Sequence, residues 1–158
     1  MTGPTARWLS RPVNPAADHV LGPEHAEITL VEYGSYDSPQ CRRVTDSITV
    51  RDQLGHRLRY VFRHRPTPRS DLARRAAELA ERAGEVGRFW HAHMILMKRS
   101  ETLVEDDLRV VHDELDLGRQ EPAEVDQAAR RARERVADEC PRERREDHVD
   151  LLHQRAPL

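Results

Sequence analysis

The sequence is poor in aromatic residues and contains no long apolar run. Phe, Tyr and Trp make up 4% of its 158 residues, and hydrophobic residues of all kinds make up 37%. A membrane-spanning helix needs about 20 consecutive, mostly apolar residues, and a secretory signal needs an apolar stretch of about 7–15 residues near the N-terminus. Neither pattern occurs, so we expect no membrane insertion and, by default, a location in the reducing cytoplasm.

Cysteine is also scarce. Cys41 and Cys140 are the two cysteines, and neither has another Cys or a His at the spacing of metal ligands. This excludes a disulfide framework and a zinc-finger pattern. Nine histidines are present, but His91 and His93 are two residues apart on a predicted helix and so fall on different faces. We therefore predict neither a metal site nor a cofactor site.

The charged residues are numerous but balanced. Lys and Arg number 26 and Asp and Glu number 28, which gives a net charge of −2. Nucleic-acid-binding domains usually present a strongly basic surface, which this balance does not favour. Even the densest group of arginines is interleaved with acidic residues, as on a solvated helix face; it consists of Arg130, Arg131, Arg133 and Arg135. We predict no nucleic-acid partner.

Two short apolar runs predict buried strands, ITLVEY at residues 28–33 and LRYVFR at residues 58–63. Between them, Ser38 and Pro39 are typical of the N-cap and the first position of a helix. Strand, helix and strand over this distance form a βαβ unit, which is expected to have parallel strands and a right-handed connection. The fold class predicted is therefore α/β.

The rest of the chain divides by composition. Residues 1–26 are rich in proline and polar residues and predict an N-terminal arm. The predicted domain covers residues 27–141, and apolar stripes at helical spacing fill it from about residue 70. Residues 142–158, which begin RERRED, predict a charged tail with little periodicity.

Four segments together resemble the DsbA-like thioredoxin-fold proteins. They are ITLVEYGSYDSPQC, LRYVFRHRP, GRFWHAHMIL and EDDLRVVHDELDL, and they occur in the family's order between about Asp18 and Val136. The resemblance is strongest to the bacterial branch that is also found fused to sodium–proton antiporters. It implies a thioredoxin-like sheet with a helical insertion after the βαβ unit.

The resemblance also implies a redox loop, which this chain alters. Family members carry Cys-x-x-Cys at a helix N-terminus, where the first thiolate attacks a disulfide and the second thiol resolves the mixed disulfide. Here the loop reads Ser38-Pro39-Gln40-Cys41, so the attacking thiol is replaced by a hydroxyl. The family's cis-proline segment, which follows the insertion and faces the loop, has no counterpart. We expect a vestigial site in a non-catalytic or severely impaired relative, which would serve as a binding module.

Two enzymatic alternatives stay open at this stage. A single-cysteine thiol reaction would use Cys41, although a small, half-buried core residue is the simpler interpretation. Glutathione chemistry would use Ser38, because the kappa-class glutathione transferases and related isomerases carry a similar Ser-Pro at this loop. Against that, a helix N-cap alone accounts for Ser38.

The missing family segments also bear on association. In the family, the strand that matches residues 28–33 pairs with the strand after the cis-proline. Without that neighbour, the strand would present unpaired N–H and C=O groups, which favour pairing with another chain. We therefore expect an incomplete sheet and one of three outcomes: a strand-paired homodimer, a bound partner strand, or poor solubility of the protein alone. The tail after Arg142 is too charged to be a favoured substitute strand.

Overall fold

The computed structural model describes residues 11–50, 56–118, 122–139 and 150–155. Two strands, a helix and a third strand come first, and four helices in succession precede the last strand. In chain order they are β1 (His19–Leu21), β2 (Ile28–Gly34), α1 (Pro39–Val50), β3 (Leu58–His64), α2 (Asp71–Glu85), α3 (Phe89–Lys98), α4 (Glu105–Glu114), α5 (Pro122–Glu139) and β4 (Asp150–Arg155).

The predicted βαβ unit is confirmed. β2 and β3 pair in parallel, from Ile28 opposite Leu58 to Gly34 opposite His64, and α1 connects them. The strands end together, because parallel strands in this register bring their carboxyl ends to one edge. The loop after β2 and the loop after β3 therefore lie side by side.

The expectation of an unpaired β2 edge is wrong. The sheet has the order β1-β3-β2-β4, and β4 pairs antiparallel with β2, with Val31 opposite Leu152. Part of the predicted charged tail thus supplies the neighbour that the sequence seemed to lack. The homodimer and the partner strand expected at that edge lose their physical basis, since backbone groups of β2 are paired within the chain.

Residues predicted as an N-terminal arm also join the sheet. β1 pairs antiparallel with β3, with His19 opposite Phe62. A buried ion pair holds this segment in place: the Arg63 guanidinium donates from Nε and Nη2 to the two Asp18 carboxylate oxygens, at 2.9 and 2.8 Å. Burial alone would raise the pKa of Asp18, but hydrogen bonds from Arg63 and the Asn14 backbone hold it below its ordinary value.

The helical insertion packs through small residues. α2 begins where the Ser70 hydroxyl accepts a hydrogen bond from the Ala73 N–H at 3.2 Å. One face of α2 is almost entirely alanine and fully buried; it consists of Ala73, Ala76, Ala77, Ala80 and Ala83. Small side chains let neighbouring helices approach closely, which suits a chain with few large apolar residues. The helices of the described residues lack the length and apolarity needed to cross a bilayer.

The pairing of β4 with β2 yields a prediction about association. A chain ended at residue 149 lacks β4, so the β2 amides that face it lose their partners. We expect faster hydrogen exchange in β2 and self-association at tens of micromolar, because an unpaired strand edge is a template for another chain. Hydrogen exchange and light scattering measure the two effects. The matched control ends at residue 155 and should behave as the full chain; a monomeric 149-residue chain with protected β2 amides would contradict the pairing.

Candidate functional site

The predicted site residues Ser38 and Cys41 lie at the end of the loop between β2 and α1 and in the first turn of α1. The Ser38 hydroxyl accepts a hydrogen bond from the Cys41 N–H at 3.4 Å, and the helix begins at Pro39. This is the geometry of an N-cap, in which a side-chain oxygen satisfies a free N–H of the first turn. The Ser38 hydroxyl therefore caps α1.

Cys41 is more deeply buried than the half-buried position expected from sequence. Only 2% of its surface is exposed, and its Sγ accepts a hydrogen bond from the Ser35 N–H at 3.4 Å. Burial, and next the negative charge of Glu32, raise the pKa of Cys41 to about 11. Nucleophilic cysteines depend on the opposite shift, because the thiolate is the reactive species.

Glu32 is the site residue that sequence reasoning missed. It lies on β2, is fully buried, and accepts a hydrogen bond at Oε2 from the Tyr60 hydroxyl at 2.7 Å. Burial raises the pKa of Glu32 to about 7, against the opposing effect of that hydrogen bond. Its signal in the sequence was an acidic residue inside the apolar run ITLVEY, since an acid buried in a strand needs a specific reason.

The loop after β3 contacts the loop that carries Ser38. The Thr67 hydroxyl donates to Asp37 Oδ1 at 2.6 Å, and the Thr67 N–H donates to the Ser35 hydroxyl at 3.0 Å. Ser35 also donates to the same Asp37 oxygen at 2.5 Å. These bonds fix the two loops against each other, as the parallel register of β2 and β3 requires. Thr67-Pro68 belongs to this contact, and no peptide bond among the described residues is cis.

A cleft of about 400 Å³ opens beside this contact. Thr67 belongs to its wall, together with the rest of the loop before α2, the first half of α2 and the outer part of α5. Pro66, Pro68 and Val136 give it an apolar lining. The lining also holds the carboxylates of Asp71 and Glu78, which both pair with Arg74, and two further arginines, Arg69 and Arg133. The cleft therefore lies next to the Ser38 loop and has a mixed apolar and charged lining with more arginines than carboxylates.

His93 is a core residue, as its place on the apolar stripe predicted. It is fully buried, and its Nδ1 lies 3.2 Å from the Tyr36 hydroxyl. Burial, and next the charge of His64, lower the pKa of His93 to about 3. The neutral imidazole packs in the aromatic core, where it contacts the rings of Tyr36, Tyr60, Phe62, Phe89 and Trp90.

Cys140, the second cysteine of the sequence, lies outside the described residues.

Comparison with known proteins places the fold in a family. A family model described as thioredoxin matches residues 15–150. The chain belongs to the thioredoxin family. A thioredoxin-like oxidoreductase from Silicibacter pomeroyi shares the fold, with a TM-score of 0.60 and 22% identity over 78% of this chain and 68% of that chain. Wolbachia pipientis α-DsbA1 does so with a TM-score of 0.57 and 17% identity over 77% and 64%.

Closer sequence relatives have a different name. A protein named Na(+)/H(+) antiporter NhaA from Nitrosospira multiformis is 49% identical over 129 residues, which are 81% of this chain and 21% of that protein. One named Na(+)/H(+) antiporter NhaA 1 from Salinispora arenicola is 41% identical over 69% of this chain and 17% of its own length. The chain thus spans about a fifth of the length of these relatives. The predicted resemblance to DsbA-like thioredoxin-fold proteins is confirmed, and so is the α/β thioredoxin-like fold.

The burial of Cys41 yields a prediction about its reactivity. A pKa of about 11, against 9.0 for an ordinary thiol, leaves about 100-fold less thiolate near neutral pH. In a Cys140→Ser background, iodoacetamide at pH 7.5 should alkylate Cys41 at least about 100-fold more slowly than the same protein in concentrated urea. Mass spectrometry gives both rates. Equal rates in the folded and unfolded protein would contradict the burial and the raised pKa.

The burial of Glu32 yields a prediction about stability and pH. Its pKa is about 7 in the folded protein and near 4.5 when unfolded, so the unfolded state releases its proton first as pH rises. The folded state therefore loses stability between about pH 4.5 and 7, by up to about 3 kcal/mol, and no further above that range. Glu32→Gln removes this loss, and urea unfolding at pH 5 and pH 8 measures it. Glu114→Gln, at an exposed position, is the control and should change the pH dependence little.

Proposed function

We propose that this chain is a non-catalytic thioredoxin-family domain that binds a partner instead of exchanging disulfides. Two features together carry the proposal. Ser38 stands at the position that corresponds to the family's attacking cysteine, and Cys41 is 2% exposed and has a raised pKa. The loop keeps the family's backbone arrangement but supplies no activated thiol.

The chemistry of exchange supports this interpretation. Disulfide reduction requires a thiolate that attacks one sulfur, forms a mixed disulfide and expels the other sulfur as a thiolate. A second thiol then attacks the mixed disulfide and takes up the oxidised state. The hydroxyl of Ser38 cannot form the first sulfur–sulfur bond, and Cys41 can resolve only an intermediate that has already formed on its neighbour.

The cleft beside the loop is where we expect a partner to bind. It shares Thr67 with the contact between the two loops, so an occupant would touch the part of the fold on which family members perform their chemistry. Its apolar prolines and its arginines suit a polypeptide segment with apolar and acidic side chains. In the relatives named as antiporters the matching region is about a fifth of a longer protein, which supports a domain that acts beside other parts of a larger protein.

The enzymatic alternatives have less support. A single-cysteine reaction needs access to Cys41 and an accessible thiolate, and burial opposes both. Glutathione chemistry needs a hydroxyl that donates to a thiolate, whereas the one hydrogen bond seen for the Ser38 hydroxyl, accepted from the Cys41 N–H, is explained by helix capping alone. No observation favours either of them over the binding domain.

Turnover of a model disulfide tests the proposal. Insulin reduction with dithiothreitol as reductant should proceed no faster with this protein than without it. Ser38→Cys creates a Cys-x-x-Cys loop, and we expect it to restore little activity because the Cys41 partner stays buried. Cys140→Ser is the matched control for the other thiol. Turnover by the unaltered protein that disappears in Cys41→Ala would overturn the proposal and favour the single-cysteine enzyme.

A further inference from the structure

We propose that His19, His64 and Glu81 form a binding site for a divalent transition-metal ion of the zinc class. These three side chains come from β1, the end of β3 and α2, on elements separate from the Ser38 loop. Their ligand atoms all lie within 4.8 Å of one another. The site is independent of the function proposed for the loop.

The two imidazoles converge on one oxygen. Nε2 of His19 lies 2.5 Å from Glu81 Oε1, and Nε2 of His64 lies 2.8 Å from the same atom. Zinc bonds of about 2.0–2.2 Å in tetrahedral geometry place neighbouring ligand atoms about 3.3 Å apart. A shift of less than about 1 Å in these side chains would therefore seat the ion between the three donors.

The donor set fits the proposed class of ion. Imidazole nitrogen binds Zn²⁺ and its first-row neighbours well, whereas Ca²⁺ and Mg²⁺ prefer sites built from oxygen alone. Burial adds to the fit: the side chains of His64, Glu81 and His19 are 0%, 2% and 13% exposed. Surface histidines and acids bind adventitious metal from mobile positions, but these three are held in place by the core.

The surroundings orient the ligands. Arg135 of α5 places Nε 2.5 Å from Glu81 Oε2, which leaves Oε1 facing the histidines. The ring of Phe89 stacks on the His19 ring, with 3.3 Å between the centroids. Such outer contacts are what fix ligand orientation in metal sites.

The sequence held no sign of this site. Its ligands are scattered over 62 residues, and zinc patterns are recognised from ligands a few residues apart. The topology brings them together, because β1 and β3 are neighbours in the sheet and α2 packs over the end of β3. Two histidines on one carboxylate also form a hydrogen-bond network without metal, so the experiment must separate the two roles.

Metal titration makes that separation. The full-length protein without a histidine tag, stripped with a chelator, should bind one Zn²⁺ at about 10 µM or tighter by calorimetry. Its Tm should rise by about 5–10 °C at a 100-fold excess over Kd. Co²⁺ should give visible bands of a nitrogen–oxygen site without the near-ultraviolet charge transfer of a thiolate ligand, which excludes binding by cysteine.

Variants decide the assignment. His64→Gln and His19→Gln should each weaken Zn²⁺ binding at least about 10-fold, while His91→Gln, at an exposed position on α3, should leave it unchanged. Circular dichroism in the presence of chelator reports whether each variant folds. If His64→Gln does not fold, His19→Gln provides the test, because His19 is the least buried of the three ligands. Absence of binding by the unaltered protein, a thiolate-type Co²⁺ spectrum, or unchanged affinity in a folded His19→Gln would overturn the proposal.

Discussion

The packing of the helices against the sheet depends on the ion pairs and hydrogen bonds of one buried carboxylate, that of Glu81. Burying an ionised side chain destabilises the folded state unless the charge is fully partnered. Removal of one partner destabilises the protein more than replacement of the whole ion pair by apolar residues. Glu81, on α2, has partners from three other elements: His19 from β1, His64 from β3 and Arg135 from α5. Burial alone would raise the pKa of Glu81, but the hydrogen bonds from both histidines bring it well below its ordinary value.

The pKa of a second buried glutamate shifts in the opposite direction. Glu32 is as inaccessible as Glu81, yet its pKa rises. The hydrogen bonds that it accepts from Tyr60 and Cys41 do not compensate for the lost water. One buried carboxylate therefore keeps its charge, and the other tends to take up a proton. The negative charge of Glu32, when present, disfavours ionisation of Cys41.

The local elements of this fold could be predicted from the sequence, and the long-range ones could not. The apolar runs of β2 and β3 and the Ser38-Pro39 helix start depend on neighbours a few residues away, so their patterns are sufficient. β1 is only three residues long, and β4 contains charged and polar residues in DLLHQR. Both are strands because a distant strand offers them hydrogen bonds, which no local pattern records.

The candidate site divides in the same way. Ser38 and Cys41 were predicted because four consecutive residues, Ser38-Pro39-Gln40-Cys41, resemble the family's Cys-x-x-Cys loop, and such a resemblance is visible in the local sequence. Glu32 gave a weak local sign as an acid within an apolar run, but its relation to Cys41 depends on the geometry of β2 against α1. The ligand cluster of His19, His64 and Glu81 exists only through the topology of the sheet and of α2.

The position of β4 has a consequence for how the protein is made. β2 pairs with residues roughly 120 positions further along the chain, and five helices are synthesised between β2 and β4. On the ribosome, β1, β2, α1 and β3 emerge first, and the nascent sheet lacks its last strand while the remaining four helices are synthesised. The rate of translation through the helical segment therefore determines how long the β2 edge stays unpaired in the presence of chaperones and other nascent chains. Misassembly through this edge is accordingly a risk during synthesis.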